Sequence, residues 1–341
     1  MTHVLVSRLD SDGDVLLTGP AIRAVASRAE RVTLLCGPRG RAAAELLPGV
    51  DELLQFNAPW IDPEPAPVDR EAVLELSDRI AQAAPDEAIV FTSFHQSALP
   101  TALVLRLAGV PRITAISEDY PGSLLDVRER DPGDVHEVER ALGLARAAGY
   151  DLPPGNGAQL VVERPRAGEN PAGDPPYVVV HPGASVPARA WPAEKSAELV
   201  EELARRGRRV VVTGSASERD LTAFVAGDKG LDLGGASDLA ALAEVLAAAD
   251  AIVVGNTGPA HLAAAVGTPV VSLFAPVVPA ARWRPWGVPH VLLGDQDAPC
   301  RATRARTCPV PGHPCLADVA TGEVVAALEH LAPAPLEEVA A

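Results

Sequence analysis

Long apolar runs and an excess of basic charge are both missing from this sequence of 341 residues. No stretch of about 18 uninterrupted apolar residues occurs, so no transmembrane helix is expected. The first residues lack the charged, apolar and cleavage regions of a signal peptide, and a cytoplasmic location is expected. The formal net charge of −16 disfavours binding to nucleic acid or to an anionic membrane, because both attract basic surfaces.

Two familiar binding signatures are also absent. No Gly-x-Gly-x-x-Gly motif follows the first strand of either half, which counts against a dinucleotide-dependent oxidoreductase. The four cysteines contain no Cys-x-x-Cys pair. Cys300, Cys308 and Cys315 cluster with His313, and three thiols with an imidazole could hold a structural zinc ion. The wide spacing favours free thiols or one local disulfide over these four residues as metal ligands.

Short apolar runs alternate with amphipathic, helix-like segments along the chain. Runs without polar alternation are typical of strands buried on both faces, and the alternation predicts parallel sheets covered by helices. The predicted strands are 3–9, 31–37, 52–56, 87–93, 112–117, 177–183, 208–214, 251–255, 269–274 and 290–294. The predicted helices are 15–28, 40–47, 69–84, 97–108, 135–149, 193–206, 216–226, 238–248, 258–266 and 320–332.

A segment rich in proline and glycine separates two such series. We predict a Rossmann-like domain over 1–155, a linker over 156–176 and a second Rossmann-like domain over 177–341. The last helix could pack back on the first domain. Two Rossmann-like domains facing a central cleft are the outline of the α/β fold GT-B of glycosyltransferases. Other two-lobed enzymes and binding proteins share this outline, so the fold alone does not determine the function.

The segment RLDSDGDVLLTGP near the N-terminus places Asp10, Asp12 and Asp14 within five positions. Counted from Asp10, the acids match positions 1, 3 and 5 of an EF-hand loop. Gly13 falls at position 4 instead of 6, and alanine stands at position 12. The pattern therefore excludes an EF-hand, although clustered carboxylates still suit Mg²⁺.

The position of Asp14 suggests a second interpretation of this acidic loop. The loop follows strand 3–9 and precedes a helix predicted to begin near Val15, and ligands of open α/β sheets bind at the carboxyl ends of strands. Gly13 would allow a substrate to approach the backbone closely. Asp14 could accept a proton from an attacking hydroxyl, or it could simply cap the helix.

Polar residues follow two further predicted strands. His95 and Gln96 come after strand 87–93 and are candidates for acceptor contacts, with helix capping and local hydrogen bonds as the alternative. Ser215 and Glu218 come after strand 208–214, and we interpret them as candidate nucleotide contacts.

The segment NTGPAHLAAA combines a strand end, a tight turn and a helix start. Asn256, Thr257 and Gly258 form the turn, and Pro259 suits the beginning of a helix. The exposed N–H groups of such a helix predict a pyrophosphate site. His261 could bind a phosphate or a sugar hydroxyl there, or it could bond to a backbone carbonyl.

The segment 252–276, which contains GNTGPAHLAAAVG, resembles the signature of glycosyltransferase family 9, the ADP-heptose:lipopolysaccharide heptosyltransferases and their relatives. SRLDSDGDVLLTGPAIRAV resembles the opening segment of that family. Residues 181–203, 213–221 and 232–254 fit the family in order and spacing. The resemblance covers nearly the whole chain and is loosest over 58–176.

The resemblance implies roles for individual residues. Asp14 falls on the catalytic base of the family, and Arg189 falls on the basic position that meets the diphosphate of the donor. Thr257, Gly258 and His261 match the turn on the phosphate side. The family is inverting and works without a bound metal. An ADP-sugar donor and a small-molecule or glycolipid acceptor are therefore expected, with no cofactor.

Three positions depart from the pattern of the family. Asn256 stands where relatives often carry Asp, so a carboxylate role at that point is lost. Asp10 and Asp12 stand where relatives often carry Ser and an apolar residue, and they suggest, with Gly13, contacts to a cationic acceptor. Two other functions stay open: a nucleotide-sugar epimerase of similar fold, and a non-catalytic sugar-binding protein. The oligomeric state cannot be derived from the sequence.

Overall fold

Short apolar runs form two parallel sheets in the structure, a computed structural model that describes residues 2–164 and 170–333. The chain divides into two units between Glu163 and Arg164. The first unit contains β1 (His3–Arg8), α1 (Asp12–Ala26), β2 (Arg31–Cys36), α2 (Arg41–Ala44), β3 (Glu52–Gln55), α3 (Arg70–Ala83), β4 (Glu87–Phe91), α4 (Leu99–Leu107), β5 (Ile113–Ile116), β6 (Val127–Glu129) and α5 (Glu137–Ala148). Its strands lie in the order β3-β2-β1-β4-β5-β6 and are all parallel.

The second unit repeats this topology. It contains β7 (Val178–His181), α6 (Ala193–Arg205), β8 (Val210–Gly214), α7 (Arg219–Ala226), β9 (Leu231–Gly234), α8 (Leu239–Ala247), β10 (Ala251–Gly255), α9 (Gly258–Val266), β11 (Val270–Leu273), α10 (Ala280–Trp283), β12 (His290–Leu293), α11 (Pro314–Ala317) and α12 (Thr321–Leu331). Its parallel strands lie in the order β12-β11-β10-β7-β8-β9. Both sheets thus have the Rossmann strand order.

The predicted α/β class is correct, and all ten predicted strands are present with small shifts of their ends. Two edge strands, β6 and β9, were not predicted. β6 has only three residues, two of them charged, and β9 exposes Leu231 and Asp232. Short polar edges lack the apolar run by which buried strands are recognised.

Three residues in the described part of the predicted linker are buried, although most of that part is exposed. Leu160 and Val162 are buried, and the Glu163 N–H donates to the Leu46 carbonyl of the first unit. Ala172 is fully buried in the second unit. Residues 165–169 of the predicted linker lie outside the described residues.

The last helix, α12, packs against α6 and against β10, β11 and β12 of its own unit. Its buried face includes Val324, Val325 and Leu328, which belong to the apolar core of the second unit. The expectation that this helix packs back on the first domain stays a prediction.

The strand order positions the candidate sites. In each sheet the order reverses between two adjacent strands: β1 and β4 in the first unit, and β7 and β10 in the second. Ligands of open α/β sheets bind outside the carboxyl ends of the strands at such a switch point. The acidic loop follows β1, and the Asn256 turn follows β10.

Candidate functional site

The acidic loop passes directly from β1 into α1. The helix begins at Asp12, three residues before the expected Val15, and Ser11 occupies its N-cap position. Asp14 is thus the third helical residue, and its Oδ2 accepts a hydrogen bond of 2.9 Å from the Ser11 hydroxyl. Ser11, and not Asp14, therefore occupies the N-cap position. Gly13 lies buried in the first turn.

A buried arginine that the sequence analysis did not single out holds this loop together. The Arg8 guanidinium lies 3.0 Å from the Asp10 carboxylate and 3.1 Å from the Asp14 carboxylate. It also donates to the Ser93 hydroxyl at 3.0 Å. Burial disfavours the charge on Arg8, but the carboxylates of Asp10, Asp14 and Glu137 outweigh it and raise the pKa of Arg8.

A hydrogen bond between Gln96 and Asp10 connects the loops that follow β4 and β1. The Gln96 amide donates to the second oxygen of Asp10, and its own carbonyl accepts from the Ser93 N–H at 2.9 Å. Burial raises the pKa of Asp10, Arg8 opposes that shift, and the Asp14 carboxylate adds to it. Both residues predicted to contact an acceptor are therefore engaged within the unit.

Asp12 and His95, two other predicted acceptor contacts, have different surroundings. The Asp12 carboxylate accepts a 2.9 Å hydrogen bond from the Ala43 N–H and so ties α1 to α2. Burial raises the pKa of Asp12, and the Ala43 N–H and the Arg39 charge oppose the shift. His95 is exposed, and its ring packs edge-on against Phe94 at 5.3 Å.

Helix α5 adds a second buried charge pair behind Arg8. Glu137 Oε2 lies 4.0 Å from Arg8 and 3.8 Å from Arg140, so the two guanidinium groups share one carboxylate. Arg140 also pairs with Asp131 at 3.0 Å and donates to the Thr92 carbonyl. Two sequence features could have indicated this network: an arginine at the end of the buried strand HVLVSR, and the Glu-x-x-Arg spacing of Glu137 and Arg140.

The turn after β10 is the corresponding feature of the second unit. Helix α9 begins at Gly258, with Pro259 as its second residue and Thr257 as its N-cap. The Thr257 side chain accepts no capping hydrogen bond. The Thr257 N–H donates to the Gly255 carbonyl, the Ala260 N–H donates to the Thr257 carbonyl, and Pro259 has no N–H. The helix therefore offers an anion the Gly258 N–H and the positive end of its dipole. His261 is buried as the fourth helical residue.

Asn256 and Arg189 meet at this turn. Asn256 is 5% exposed, and neither its side-chain oxygen nor its nitrogen has a hydrogen-bond partner within residues 2–164 and 170–333. The Arg189 guanidinium approaches the backbone carbonyl of Asn256 at 3.5 Å. A buried amide without hydrogen-bond partners carries a desolvation cost, and a polar ligand would satisfy it.

Ser215 and Glu218 follow β8, next to β7. The Glu218 carboxylate accepts from the Ser215 N–H at 2.7 Å and from its hydroxyl at 2.8 Å. A Cβ on Gly183 would collide with this carboxylate, so the turn after β7 packs tightly against it. His181, which the sequence analysis did not single out, lies buried beside them, and burial lowers its pKa to about 4.

The cysteine cluster does not form the four-residue ligand set considered from the sequence. His313 bonds through Nε2 to the Ala188 carbonyl at 3.2 Å. Cys300 and Cys315 are buried in the apolar core, and burial together with the neighbouring thiols raises the pKa of Cys315 to about 12. In the described parts of the chain, no three His, Cys, Asp or Glu residues are grouped to hold a metal ion.

The two switch points offer complementary chemistry. The first holds a partly exposed carboxylate, Asp14, beside a buried cation, and a positioned carboxylate can accept a proton. The second combines the N-terminus of α9, the unsatisfied Asn256 amide and the Arg189 guanidinium, which suit a phosphorylated ligand. The structure brings Asp10, Gly13, Asp14 and Gln96 to the first point, and Arg189, Asn256, Thr257, Gly258, Pro259 and His261 to the second.

Two Rossmann-like units with polar sites at their switch points define a protein of the GT-B class. Residues 74–313 match the model of glycosyltransferase family 9 (heptosyltransferase), which is more than half of the chain. The chain therefore belongs to glycosyltransferase family 9.

Relatives with known names agree with this assignment. The chain is 36% identical over 176 residues to Lipopolysaccharide heptosyltransferase 1 of Pseudomonas aeruginosa, an alignment that covers 51% of this chain and 48% of the relative. The alignment thus spans about half the length of that relative.

In the described residues, no helix is both long and apolar enough to cross a membrane.

Solved structures show the same fold at low sequence identity. ADP-heptose lps heptosyltransferase II of E. coli superposes with a TM-score of 0.73 at 22% identity, covering 97% of this chain and 98% of that one. E. coli heptosyltransferase WaaC with ADP gives a TM-score of 0.68 at 20% identity, covering 97% and 99%.

Proposed function

We propose that this protein is an inverting, metal-independent glycosyltransferase that moves a heptose or related sugar from an ADP-sugar to a hydroxyl group. The observation that carries the proposal is the turn after β10, where an unsatisfied, buried Asn256 amide and the Arg189 guanidinium lie beside the N-terminus of α9. Family membership supports transfer over epimerisation and over simple sugar binding.

In the proposed reaction, Asp14 takes the proton of the acceptor hydroxyl as its oxygen attacks the anomeric carbon of the donor. The bond between that carbon and the diphosphate oxygen breaks, and the electron pair leaves with the nucleoside diphosphate. Attack from the opposite side inverts the anomeric centre. Asp14 is suited to this task because part of its side chain, 21%, is exposed while the rest is anchored.

The departing diphosphate would gain negative charge as the bond breaks. The Arg189 guanidinium, the Gly258 N–H and the dipole of α9 would stabilise that charge from fixed positions. Thr257, Gly258 and His261 would contact the phosphates or the sugar, and Ser215 and Glu218 the nucleoside. A fixed cation and a helix dipole can thus replace a divalent metal in this step.

The donor is assigned to ADP-heptose or a close analogue by similarity. One neighbour of the same fold is described with ADP, and another is described as an ADP-heptose lps heptosyltransferase. At the identities found, the likeness shows the fold alone, so the nucleotide is part of the proposal.

The acceptor is proposed as a small molecule or glycolipid with a free hydroxyl. A cationic acceptor loses part of its support, because Asp10 is engaged by Arg8 and Gln96 and Asp12 by the Ala43 N–H. The curated relative is named for lipopolysaccharide. A comparison of transfer to an aminosugar with transfer to a lipid A-core acceptor distinguishes a cationic acceptor from a lipopolysaccharide acceptor. Preferred transfer to the lipid A-core acceptor would contradict the hypothesis of a cationic acceptor.

Calorimetric titration with ADP, UDP, GDP and dTDP, each with and without Mg²⁺, tests the donor site. Selective binding of ADP that does not need Mg²⁺ is the expected result. Selectivity for another nucleotide would discard the ADP-heptose donor, and no nucleotide binding at all would contradict the transferase. Incubation with ADP-heptose but no acceptor tests the epimerase alternative, because only an epimerase would convert the donor to an isomer.

A further inference from the structure

Arg8 is as deeply buried in the first unit as Glu137 and more deeply buried than Asp10 and Asp14. Its side chain is 3% exposed, against 7% for Asp10, 3% for Glu137 and 21% for Asp14. Removing a guanidinium from water is expensive, and a buried cation persists only where it is paired and hydrogen-bonded. The burial of the Arg8 guanidinium therefore calls for a structural or functional explanation.

Three contacts fix the position of Arg8 independently of Asp14. Its Nε lies 3.0 Å from Asp10, its Nη2 donates to the Ser93 hydroxyl at 3.0 Å, and its Nη1 faces Glu137 at 4.0 Å. These partners come from the loop after β1, the loop after β4 and helix α5. Contacts from three different segments therefore hold the guanidinium in place even without its contact to Asp14.

The carboxylates around Arg8 are shared with other groups, so its positive charge remains available to Asp14. Glu137 is shared with Arg140, which also pairs with Asp131, so Glu137 cannot neutralise Arg8 alone. Asp10 is also bonded to the Gln96 amide, and Arg39 lowers its pKa from the neighbouring turn. Among the charged groups near Asp14 are Arg8 and Asp10 of its own segment; Arg39 lies near Asp10, and Glu137 and Arg140 lie behind Arg8.

We propose that Arg8 is a positioning residue for Asp14, holding one carboxylate oxygen at 3.1 Å while the Ser11 hydroxyl holds the other at 2.9 Å. This inference rests on the proposed role of Asp14 as the base. The guanidinium favours the charged form that can accept a proton, and the two contacts restrict the carboxylate to one orientation. With a side chain that is 3% exposed, Arg8 would act through Asp14 and not on the substrate itself.

Arg8→Gln, Arg8→Lys and the control Arg31→Gln test the proposal. Arg31 starts the neighbouring strand β2 and forms a half-exposed ion pair with Glu52. For Arg8→Gln we expect kcat to fall about tenfold to a hundredfold, and the acid limb of the kcat–pH profile to move up by about one unit or more, with an unchanged donor KM. Arg8→Lys should restore the position of the acid limb but only part of kcat. Arg31→Gln should behave like wild type.

A double-mutant cycle shows whether Arg8 acts through Asp14. In the Asp14→Asn background, adding Arg8→Gln should not lower the residual rate further. If Asp14→Asn retains wild-type transfer, the base assignment fails, whatever Arg8 does. If Asp14→Asn abolishes transfer while Arg8→Gln changes neither kcat nor the pH profile, only the positioning role is overturned.

Two further measurements cover loss of folding and loss of activity. If Arg8→Gln does not fold, Arg8→Gln with Asp10→Asn removes one buried charge of each sign and should show the same shift of the acid limb. If no donor is turned over, carbon-13 NMR can follow the Asp14 carboxyl signal, identified by its absence in Asp14→Asn. That signal should change with pH at a higher midpoint without Arg8, and an identical midpoint would contradict the proposal.

Discussion

The backbone of Arg189 packs directly on Gly255, the last residue of β10. A Cβ on Gly255 would lie 2.7 Å from the Arg189 carbonyl oxygen, closer than real Cβ contacts come. Because that oxygen belongs to the backbone, a side chain at 255 must displace the loop that carries Arg189. The absence of a side chain at Gly255 is thus what lets Arg189 approach the turn at Asn256.

Gly255→Ala should therefore weaken the proposed donor site, although residue 255 itself does not contact the donor in that proposal. We expect the Kd for ADP to rise about tenfold, as a displaced Arg189 loses its approach to the phosphates. Calorimetry measures the change. Gly322→Ala is the matched control in the same unit, since a Cβ there meets nothing within 4 Å. Equal ADP affinity in Gly255→Ala and wild type would show that the loop position does not matter.

Asp14→Asn should separate chemistry from donor binding. Asn keeps the size of the side chain and an oxygen acceptor for the Ser11 hydroxyl, but it cannot take the proton of the acceptor. We expect transfer to fall at least about a hundredfold while ADP binds with unchanged affinity. Asp69→Asn is the control, because Asp69 is the N-cap of α3 and Asn caps helices equally well. Substantial residual turnover in Asp14→Asn would refute the base assignment.

The pattern of apolar runs was sufficient to predict most of the fold. Strands such as β8 and β10 contain continuous apolar runs bounded by turns, so their type and order follow from the sequence. The polar edge strands β6 and β9 did not, because their pairing depends on the neighbouring strand and not on their own composition. The start of α1 was missed because Asp12 and Gly13 have low helix propensity.

The site could be predicted in part, for a physical reason. Residues that follow a strand, such as Asp14 and Asn256, are brought to the switch point by topology alone. Other contacts of the two sites join distant segments: Arg189 meets the Asn256 carbonyl, and Gln96 meets Asp10. Glu137 of α5 likewise meets Arg8 of β1. Such pairs depend on side-chain packing between elements, which no local pattern encodes.

Asn256 offers a test of the trade-off between stability and function. Its buried amide has no hydrogen-bond partner in the described parts of the chain, so an apolar side chain of the same branching should fit with a lower desolvation penalty. Asn256→Leu should raise the free energy of unfolding by about 1 kcal/mol and weaken ADP-heptose binding. Urea unfolding and calorimetry measure the two effects. Asn256→Ala, which leaves a cavity, should lose both stability and affinity. If Asn256→Leu binds ADP-heptose with the affinity of the wild type, the amide does not contact the donor.

His181 should make the second unit sensitive to acid. Burial lowers its pKa to about 4 in the folded protein, against 6.5 as its ordinary value. Between these values the unfolded chain binds more protons, so the free energy of unfolding decreases as the pH falls.

Between about pH 7.5 and pH 5 this decrease should amount to about 2 kcal/mol in wild type, measured by urea unfolding. His181→Gln retains a partner for the Thr213 hydroxyl, which lies 2.9 Å from the imidazole, but has no proton to gain. Its stability should therefore depend less on pH over the same window. His330→Gln, which replaces an exposed histidine of the same unit, should keep the wild-type slope. If His181→Gln and wild type lose stability in parallel, the buried imidazole is not the acid-sensitive group.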